Sequence, residues 1–214
     1  MRLSILIDKL RLEKKEFVTS EEVKEYCKTL KLDYDLVVRY SIWRKYLVRI
    51  FRGVFYVKSL EEFKTGKSKY NHLELVAKGL ELKGVKNWYF GLHTALKLNN
   101  MTHEYFTIDE VISDSLFRAK PVGIVGYKFK FVKIIPSLFD FGIFEGGDNI
   151  TIRYSDPEKT ILDFIYLSKN KGRSSELVAM DLKDWAENIS ERKLLMYAKK
   201  YPKTVANIAR LVLK

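Results

Sequence analysis

The sequence predicts an α+β protein built from two domains. Three observations carry this expectation. Apolar residues recur at helical spacing near both ends of the chain, short runs rich in aromatic and β-branched residues lie between them, and a polar stretch at residues 64–69 separates a smaller part from a larger one. A length of 214 residues suits one large or two small domains. We therefore expect domains over residues 1–66 and 67–214.

The charge balance favours an anionic partner. Lys and Arg number 39 against 27 Asp and Glu, a net charge of +12, which suits nucleic acid or an anionic membrane surface. No apolar run approaches the ~18 residues that span a bilayer, and charges interrupt the first fifteen residues, so we expect neither a membrane segment nor a signal peptide. The single Cys27 excludes an internal disulfide and a cysteine-based metal cage. These features predict a cytoplasmic protein.

Three short helices are expected at the start of the chain. Apolar residues at helical spacing predict the first over residues 2–13. The pattern Thr19-Ser20-Glu21-Glu22 is a capping box that begins the second, which we expect to end near Lys31. The third is predicted from an apolar stripe that we expect to face the core, formed by Leu36, Tyr40, Trp43 and Leu47.

A β-hairpin is expected directly after these helices. Leu47–Phe51 and Val54–Val57 read as two strands around the turn Arg52-Gly53. Three helices closed by a hairpin predict a winged helix-turn-helix, in which the third helix enters the major groove of DNA and the hairpin touches the flanking backbone. The sequence therefore predicts an N-terminal winged helix-turn-helix followed by a mixed α+β C-terminal domain.

The third helix and the hairpin coincide with a segment that contains no acidic residue. From Leu36 to Lys58 there are six basic residues and no Asp or Glu. Such a surface suits contacts with phosphates and base edges. The candidate DNA-binding residues are Arg39, Ser41, Arg44, Lys45, Arg49 and Arg52. The alternative is a solvated basic face on a protein-interaction module, which would bind an acidic partner.

Three stretches resemble the AbiEi-type antitoxins. Residues 46–56 resemble the wing of that family, residues 88–98 its small-residue helix, and residues 155–163 its "Pro-Glu-basic-Thr, aliphatic pair, Asp" helix start. The resemblance implies a transcriptional autorepressor that binds its own promoter in double-stranded DNA. It also implies the antitoxin of a type IV toxin–antitoxin, or abortive infection, pair, which counteracts a nucleotidyltransferase toxin without a stable complex. In the alternative of a protein-interaction module, the basic face would bind an acidic partner or the toxin directly. The chain departs from the family in His93-Thr94 and in its Lys-rich surface.

The second domain is expected to place helices around a mixed or mostly antiparallel sheet. Helices are predicted over residues 70–83, 89–99, 174–186, 190–200 and 203–213, and a further helix is predicted to begin at Pro157. Strands are predicted over residues 105–108, 122–125, 127–135, 141–144 and 150–154. The fragment 127–133 alternates aromatic and basic residues. It predicts either a half-buried strand with a solvated lysine face or a secondary basic surface formed by Lys128, Lys130 and Lys133.

The sequence predicts no catalytic residue, metal site or cofactor. Residues 65–68 match the end of a phosphate-binding loop, but its first glycine would fall at Glu61. The three histidines, His72, His93 and His103, are too scattered for a metal site. We therefore expect that the protein is not an enzyme.

Overall fold

The computed structural model describes residues 3–213, which form ten α-helices and two β-sheets in a mixed α+β architecture. Arg2, which the first predicted helix included, and Lys214, the last basic residue of the chain, lie outside the described residues. No helix among the described residues is long and apolar enough to cross a membrane. The α+β class expected from the sequence is thus confirmed.

The described chain divides into two compact units. The first comprises the chain up to Val85 together with residues 124–126 and 147–151, and the second comprises the remainder. The first unit therefore extends beyond the expected boundary after residue 66, because a helix at His72–Leu82 packs on both strands of the hairpin. In chain order the first unit contains α1 (Ile5–Leu12), β1 (Phe17–Thr19), α2 (Ser20–Leu30), α3 (Tyr34–Trp43), β2 (Leu47–Phe51), β3 (Val54–Val57), α4 (Leu60–Thr65) and α5 (His72–Leu82).

Side-chain caps begin the second and third helices. The Thr19 hydroxyl accepts a hydrogen bond from the backbone N–H of Glu22 at 3.3 Å, and the Glu22 carboxylate accepts one from the N–H of Thr19 at 2.8 Å, so the predicted capping box is confirmed. Asp33 caps α3 by accepting a hydrogen bond from the N–H of Leu36 at 2.7 Å. These caps set where α2 and α3 begin, and the chain between them is three residues long.

The first three helices pack on a three-stranded antiparallel sheet in which β3 lies between β1 and β2. The core contains apolar side chains from all three helices and from the sheet, and Cys27 lies within it with 2% of its surface exposed. The hairpin turn is fastened to the start of α2, since the N–H of Ser20 donates a hydrogen bond to the carbonyl of Gly53 at 2.8 Å. Gly53 has a φ of +78°, a conformation that favours glycine.

The orientation of α3 differs from the prediction. Val37, Val38 and Ser41 face the core, whereas Leu36 is 46% exposed and Trp43 is 74% exposed. Leu47 is buried, but it lies in β2 and not in the helix. The predicted apolar stripe was wrong because α3 carries apolar residues on two faces, and the face with the β-branched valines and the small serine is the one that packs.

The second unit is built around a six-stranded mixed sheet in the order β6-β7-β5-β4-β9-β8. Strands β5 and β7 are parallel, as are β4 and β9, while β5 with β4 and β8 with β9 are antiparallel. The strands are β4 (Trp88–Phe90), β5 (Ile108–Ser113), β6 (Val122–Ile124), β7 (Tyr127–Lys133), β8 (Ile143–Gly146) and β9 (Ile152–Ser155), and the last residue of β6 is grouped with the first unit. The helices are α6 (Leu92–Leu98), α7 (Pro157–Asn170), α8 (Ser175–Leu182), α9 (Glu191–Ala198) and α10 (Lys203–Val212).

Two local predictions for this unit have opposite outcomes. The predicted helix start is confirmed, because Asp156 caps α7 by accepting a hydrogen bond from the N–H of Lys159 at 2.8 Å, with Pro157 as the first helical residue. The predicted strand at residues 105–108 is wrong, since β5 begins only at Ile108. Pattern reasoning missed this strand because it contains Asp109 and Glu110, both nearly buried.

Candidate nucleic-acid interface

A groove in the first unit runs between the hairpin and the adjacent faces of α2 and α3. It has a volume of about 680 Å³. Five basic residues and two acidic ones line it, so its lining carries an excess of positive charge. The charged lining residues are Lys24, Arg39, Arg49, Arg52, Lys83, Glu21 and Asp35. This charge distribution favours a negatively charged ligand.

Three of the predicted residues, Arg39, Arg49 and Arg52, meet at this groove. Arg39 projects from the exposed face of α3, and its Nε donates a hydrogen bond of 3.3 Å to the carbonyl of Asp35 one turn earlier. Arg49 lies on β2, with its guanidinium 5.7 Å from the centre of the Phe55 ring on the paired strand. Arg52 is exposed in the turn. The helix α3 and the hairpin that follows it thus bring three guanidinium groups to one groove.

Two further predicted residues lie where α3 ends. The guanidinium of Arg44 lies 5.7 Å from the centre of the Trp43 ring and 5.7 Å from that of Tyr46. A hydrogen bond to the Tyr46 hydroxyl raises the pKa of Arg44 above its ordinary value, so this side chain stays charged. Lys45 is exposed and has a φ of +59°, which ends the helix. Both cations therefore extend the basic surface beyond the groove.

Ser41 does not belong to this surface, which corrects the prediction made from the sequence. Its side chain is 0% exposed and faces the core with Val37 and Val38. The Ser41 hydroxyl also has no hydrogen-bond partner among the described residues. Because a base edge cannot reach a buried hydroxyl, Ser41 is not a contact residue.

Two lysines at the groove were not predicted from the sequence. Lys24 lies on α2, with its ammonium 5.5 Å from the centre of the Tyr34 ring. Lys83 follows α5, and its ammonium lies 3.9 Å from the point where a Cβ on Gly53 would stand. Lys24 lies among acidic neighbours in the sequence, and Lys83 lies beyond the expected domain boundary. Only the packing of α2 and α5 on the hairpin brings them to the groove.

The secondary basic surface in the second unit is smaller than predicted. Phe129 and Phe131 of β7 are buried, and Lys128 and Lys130 alternate with them on the opposite face. Lys133 has the same parity as the two phenylalanines and is exposed where β7 ends. The lysine face of β7 therefore consists of Lys128 and Lys130, while Lys133 stands apart from it.

Comparison with known proteins identifies a shared fold. No family model matches the chain, and no curated protein matches it by sequence. The crystal structure of the RV2827C protein from Mycobacterium tuberculosis is similar to this chain, with a TM-score of 0.61 and 14% sequence identity. The similarity covers 98% of this chain and 75% of that one. At this identity the likeness extends to the fold alone.

The second unit contains a buried polar cluster that holds α7 in place. The Lys159 ammonium donates hydrogen bonds to the carbonyl of Leu138 at 2.7 Å and to the Tyr201 hydroxyl at 3.2 Å. The Asp163 carboxylate accepts hydrogen bonds from the hydroxyls of Tyr89 and Tyr201, both at 2.7 Å. Burial lowers the pKa of Lys159 and raises that of Asp163. Because the side chains of Lys159 and Asp163 are fully buried, a ligand in solution cannot reach them, and the cluster stabilises the packing of α7.

His93 lies among aromatic side chains of the second unit and faces a carboxylate. Its Nδ1 lies 2.8 Å from the Glu110 carboxylate, and its ring packs against Phe106, Phe164 and Trp185. Within residues 3–213, no group of three or more His, Cys, Asp or Glu side chains is arranged to hold a metal ion. The geometry around His93 is that of a packed side chain held by a carboxylate.

Proposed function

We propose that the first unit is a winged helix-turn-helix module that binds double-stranded DNA. In this proposal α3 enters the major groove, and the turn between β2 and β3 is the wing. The element order helix–strand–helix–helix–strand–strand supports it, as does the central place of β3 in the sheet. The observation that carries the proposal is the basic groove between α3 and the hairpin, because both elements that would meet the phosphates line it.

The biological role that we propose is transcriptional autorepression by the antitoxin of a type IV toxin–antitoxin, or abortive infection, pair. The support for this role is the sequence resemblance to AbiEi-type antitoxins at residues 46–56, 88–98 and 155–163. A repressor of this kind binds its own promoter and opposes a nucleotidyltransferase toxin without forming a stable complex. The proposal contains no catalytic step and requires no cofactor.

Binding of the full chain to a duplex of its own promoter, measured at several salt concentrations, tests the proposal. We expect the variant Arg39→Ala/Arg52→Ala to bind more weakly and to make the negative slope of log K against log salt shallower by about 2, since each lost phosphate contact removes ~0.9 from the magnitude of that slope. Both side chains are exposed and are not part of the core, so the fold should persist. Circular dichroism checks the fold.

A matched control removes two positive charges elsewhere. The variant Lys171→Ala/Arg192→Ala removes two positive charges, as the test variant does, from exposed residues of the second unit. We expect this variant to retain the wild-type affinity and salt slope. Equal losses of affinity in both variants would mean that binding depends on net charge alone. Wild-type affinity in the Arg39→Ala/Arg52→Ala variant would refute the proposed DNA-binding face. Co-purification with the neighbouring gene product in high salt, without promoter binding, would instead favour a protein-interaction module.

A further inference from the structure

The exposed face of α3 carries two large apolar side chains. Leu36 is 46% exposed and Trp43 is 74% exposed, although the same helix buries Val37, Val38 and Ser41 on its opposite side. Residues 36 and 43 are seven positions apart, or close to two helical turns, so they lie on one line along the helix. Single exposed apolar side chains are common on protein surfaces, but these two are aligned along one helix face together with Arg39, so one ligand that lies on this face can contact both.

The surroundings of this apolar line favour a nucleic acid over a protein. Arg39 lies between Leu36 and Trp43 on the same face, and the Arg44 guanidinium stands 5.7 Å from the centre of the Trp43 ring. The chain contains no acidic residue from Leu36 to Lys58. A partner of this face must therefore combine negative charge with small apolar groups that the two side chains can touch.

The major groove of DNA offers that combination. Each thymine presents a C5-methyl group there, between two phosphate backbones. The line from Leu36 to Trp43 is about 10 Å long, at ~1.5 Å per residue of helix. That length corresponds to roughly three base steps of ~3.4 Å. Two thymine methyl groups at this separation would match the two apolar side chains, with Arg39 free to contact DNA between them.

We propose that Leu36 and Trp43 determine operator specificity by packing against the C5-methyl groups of two thymines about three base pairs apart. This inference rests on the proposed DNA-binding function of α3. It predicts a discrimination that phosphate contacts cannot supply, because a phosphate contact is insensitive to the methyl group of a base.

Replacement of thymine by deoxyuridine tests the inference. Deoxyuridine pairs with adenine as thymine does and lacks only the C5-methyl group. We expect the full chain to bind its promoter duplex about 4-fold more weakly for each contacted methyl group, or roughly 15-fold when all thymines are replaced, from the free energy of burying one methylene-sized group. Replacing single thymines should map the effect to two positions about three base pairs apart.

The variants Trp43→Ala and Leu36→Ala connect this discrimination to the protein. Each should bind the thymine duplex more weakly and lose about 4-fold of the preference for thymine over deoxyuridine, while its salt slope stays that of the wild type. The control is Leu12→Ala in α1, another exposed leucine of the first unit, which should keep the full preference. Circular dichroism confirms that each variant is folded, and the two independent substitutions guard against a local distortion.

The possible results separate the inference from the function on which it rests. Equally tight binding of the wild-type chain to the thymine and deoxyuridine duplexes would refute the contact with thymine methyl groups but would still support DNA binding. A preference that survives in both Trp43→Ala and Leu36→Ala would also overturn it. Absence of promoter binding in any duplex would refute the proposed function, and the inference with it. In that case, binding of an acidic protein to this face would be the explanation to test instead of DNA binding and methyl contact.

Discussion

Ser41 shows how a single side chain distinguishes the packed face of α3 from its exposed face. Its hydroxyl is fully buried and finds no hydrogen-bond partner among the described residues. A buried polar group without a partner costs about 1–3 kcal/mol of stability. Serine also has a lower helix propensity than alanine. The residue is therefore unfavourable to the fold at this position.

We expect Ser41→Ala to increase the free energy of unfolding by about 1 kcal/mol, because it removes the unpaired hydroxyl and improves helix propensity. Affinity for the promoter duplex should not change. Urea denaturation and a binding titration measure the two quantities. A loss of promoter affinity without a loss of stability would indicate that Ser41 contacts DNA after all.

The misplaced face of α3 has a physical cause. Periodicity identified the helix, but Leu36, Tyr40 and Trp43 form one apolar stripe while Val37 and Val38 begin another. A helix that is apolar on two sides does not reveal which side packs, and the larger residues gave the wrong answer. The exposure of Leu36 and Trp43 follows only from the tertiary structure. The arginines of the groove were easier to predict, because charge indicates exposure whichever way the helix is rotated.

At the scale of elements, the docking of α5 determines where the first unit ends. Gly79 faces the hairpin at close range. A Cβ at this position would lie 2.6 Å from Cγ2 of Ile50 and 2.8 Å from the Phe51 ring. Ile50 is buried and is the residue that follows Arg49 in β2. The absence of a side chain at Gly79 thus allows α5 to support the strand that presents Arg49.

We expect Gly79→Ala to destabilise the protein by about 1–3 kcal/mol through overpacking, even though alanine is the better helix former by ~1 kcal/mol. The shift of β2 should also weaken promoter binding. Thermal denaturation and a binding titration measure both effects. The control is Glu81→Ala on the exposed side of the same helix, which should change stability by less than about 0.5 kcal/mol. An unchanged stability of the Gly79→Ala variant would mean that α5 does not pack tightly against β2 at this position.

The sequence identified α5 as a helix, yet it gave no sign of which unit the helix joins. The polar residues 64–69 resemble a linker, and a linker is the natural place for a boundary. The close approach at Gly79 is a long-range packing relation with no local pattern. The same limit applies to Lys83, whose place at the groove depends on α5.

At the scale of the whole molecule, three nearly buried carboxylates link stability to pH. Glu62 and Glu74 belong to the first unit, and Glu158 belongs to the second. Burial acts to raise the pKa of each, but hydrogen-bond donors outweigh it and hold each pKa below its ordinary value. For Glu74 the donors are the backbone N–H groups of Asn71, Asn149 and Ile150, at 2.9, 2.7 and 3.1 Å.

These shifts determine the sign of the acid response. A carboxylate with a lowered pKa in the folded state binds fewer protons than in the unfolded state near its unfolded pKa of about 4.3. Its stabilisation is therefore complete above that pH and is lost as the pH falls through the lowered pKa. Asp163 acts in the opposite sense, since burial raises its pKa and its contribution is lost as the pH rises through that value.

We expect Glu74→Gln to lower the free energy of unfolding by about 1–3 kcal/mol at neutral pH, and to flatten its fall between about pH 5 and about pH 3. The reason is that a neutral amide keeps some of the hydrogen bonds but cannot be protonated in this range. Urea denaturation at a series of pH values measures the effect. Glu25→Gln, on the exposed face of α2, is the control and should reproduce the wild-type slope. A Glu74→Gln slope equal to that of the wild type would refute the linkage.

Cys27 provides a natural reporter for the opening of the first unit. Its thiol is 2% exposed within the core, and burial raises its pKa, so the native state should react slowly with alkylating reagents. The chain has one cysteine, so the rate of alkylation under native conditions measures how often this core opens, and no engineered label is required. A duplex that binds the closed unit should slow that rate in proportion to its occupancy.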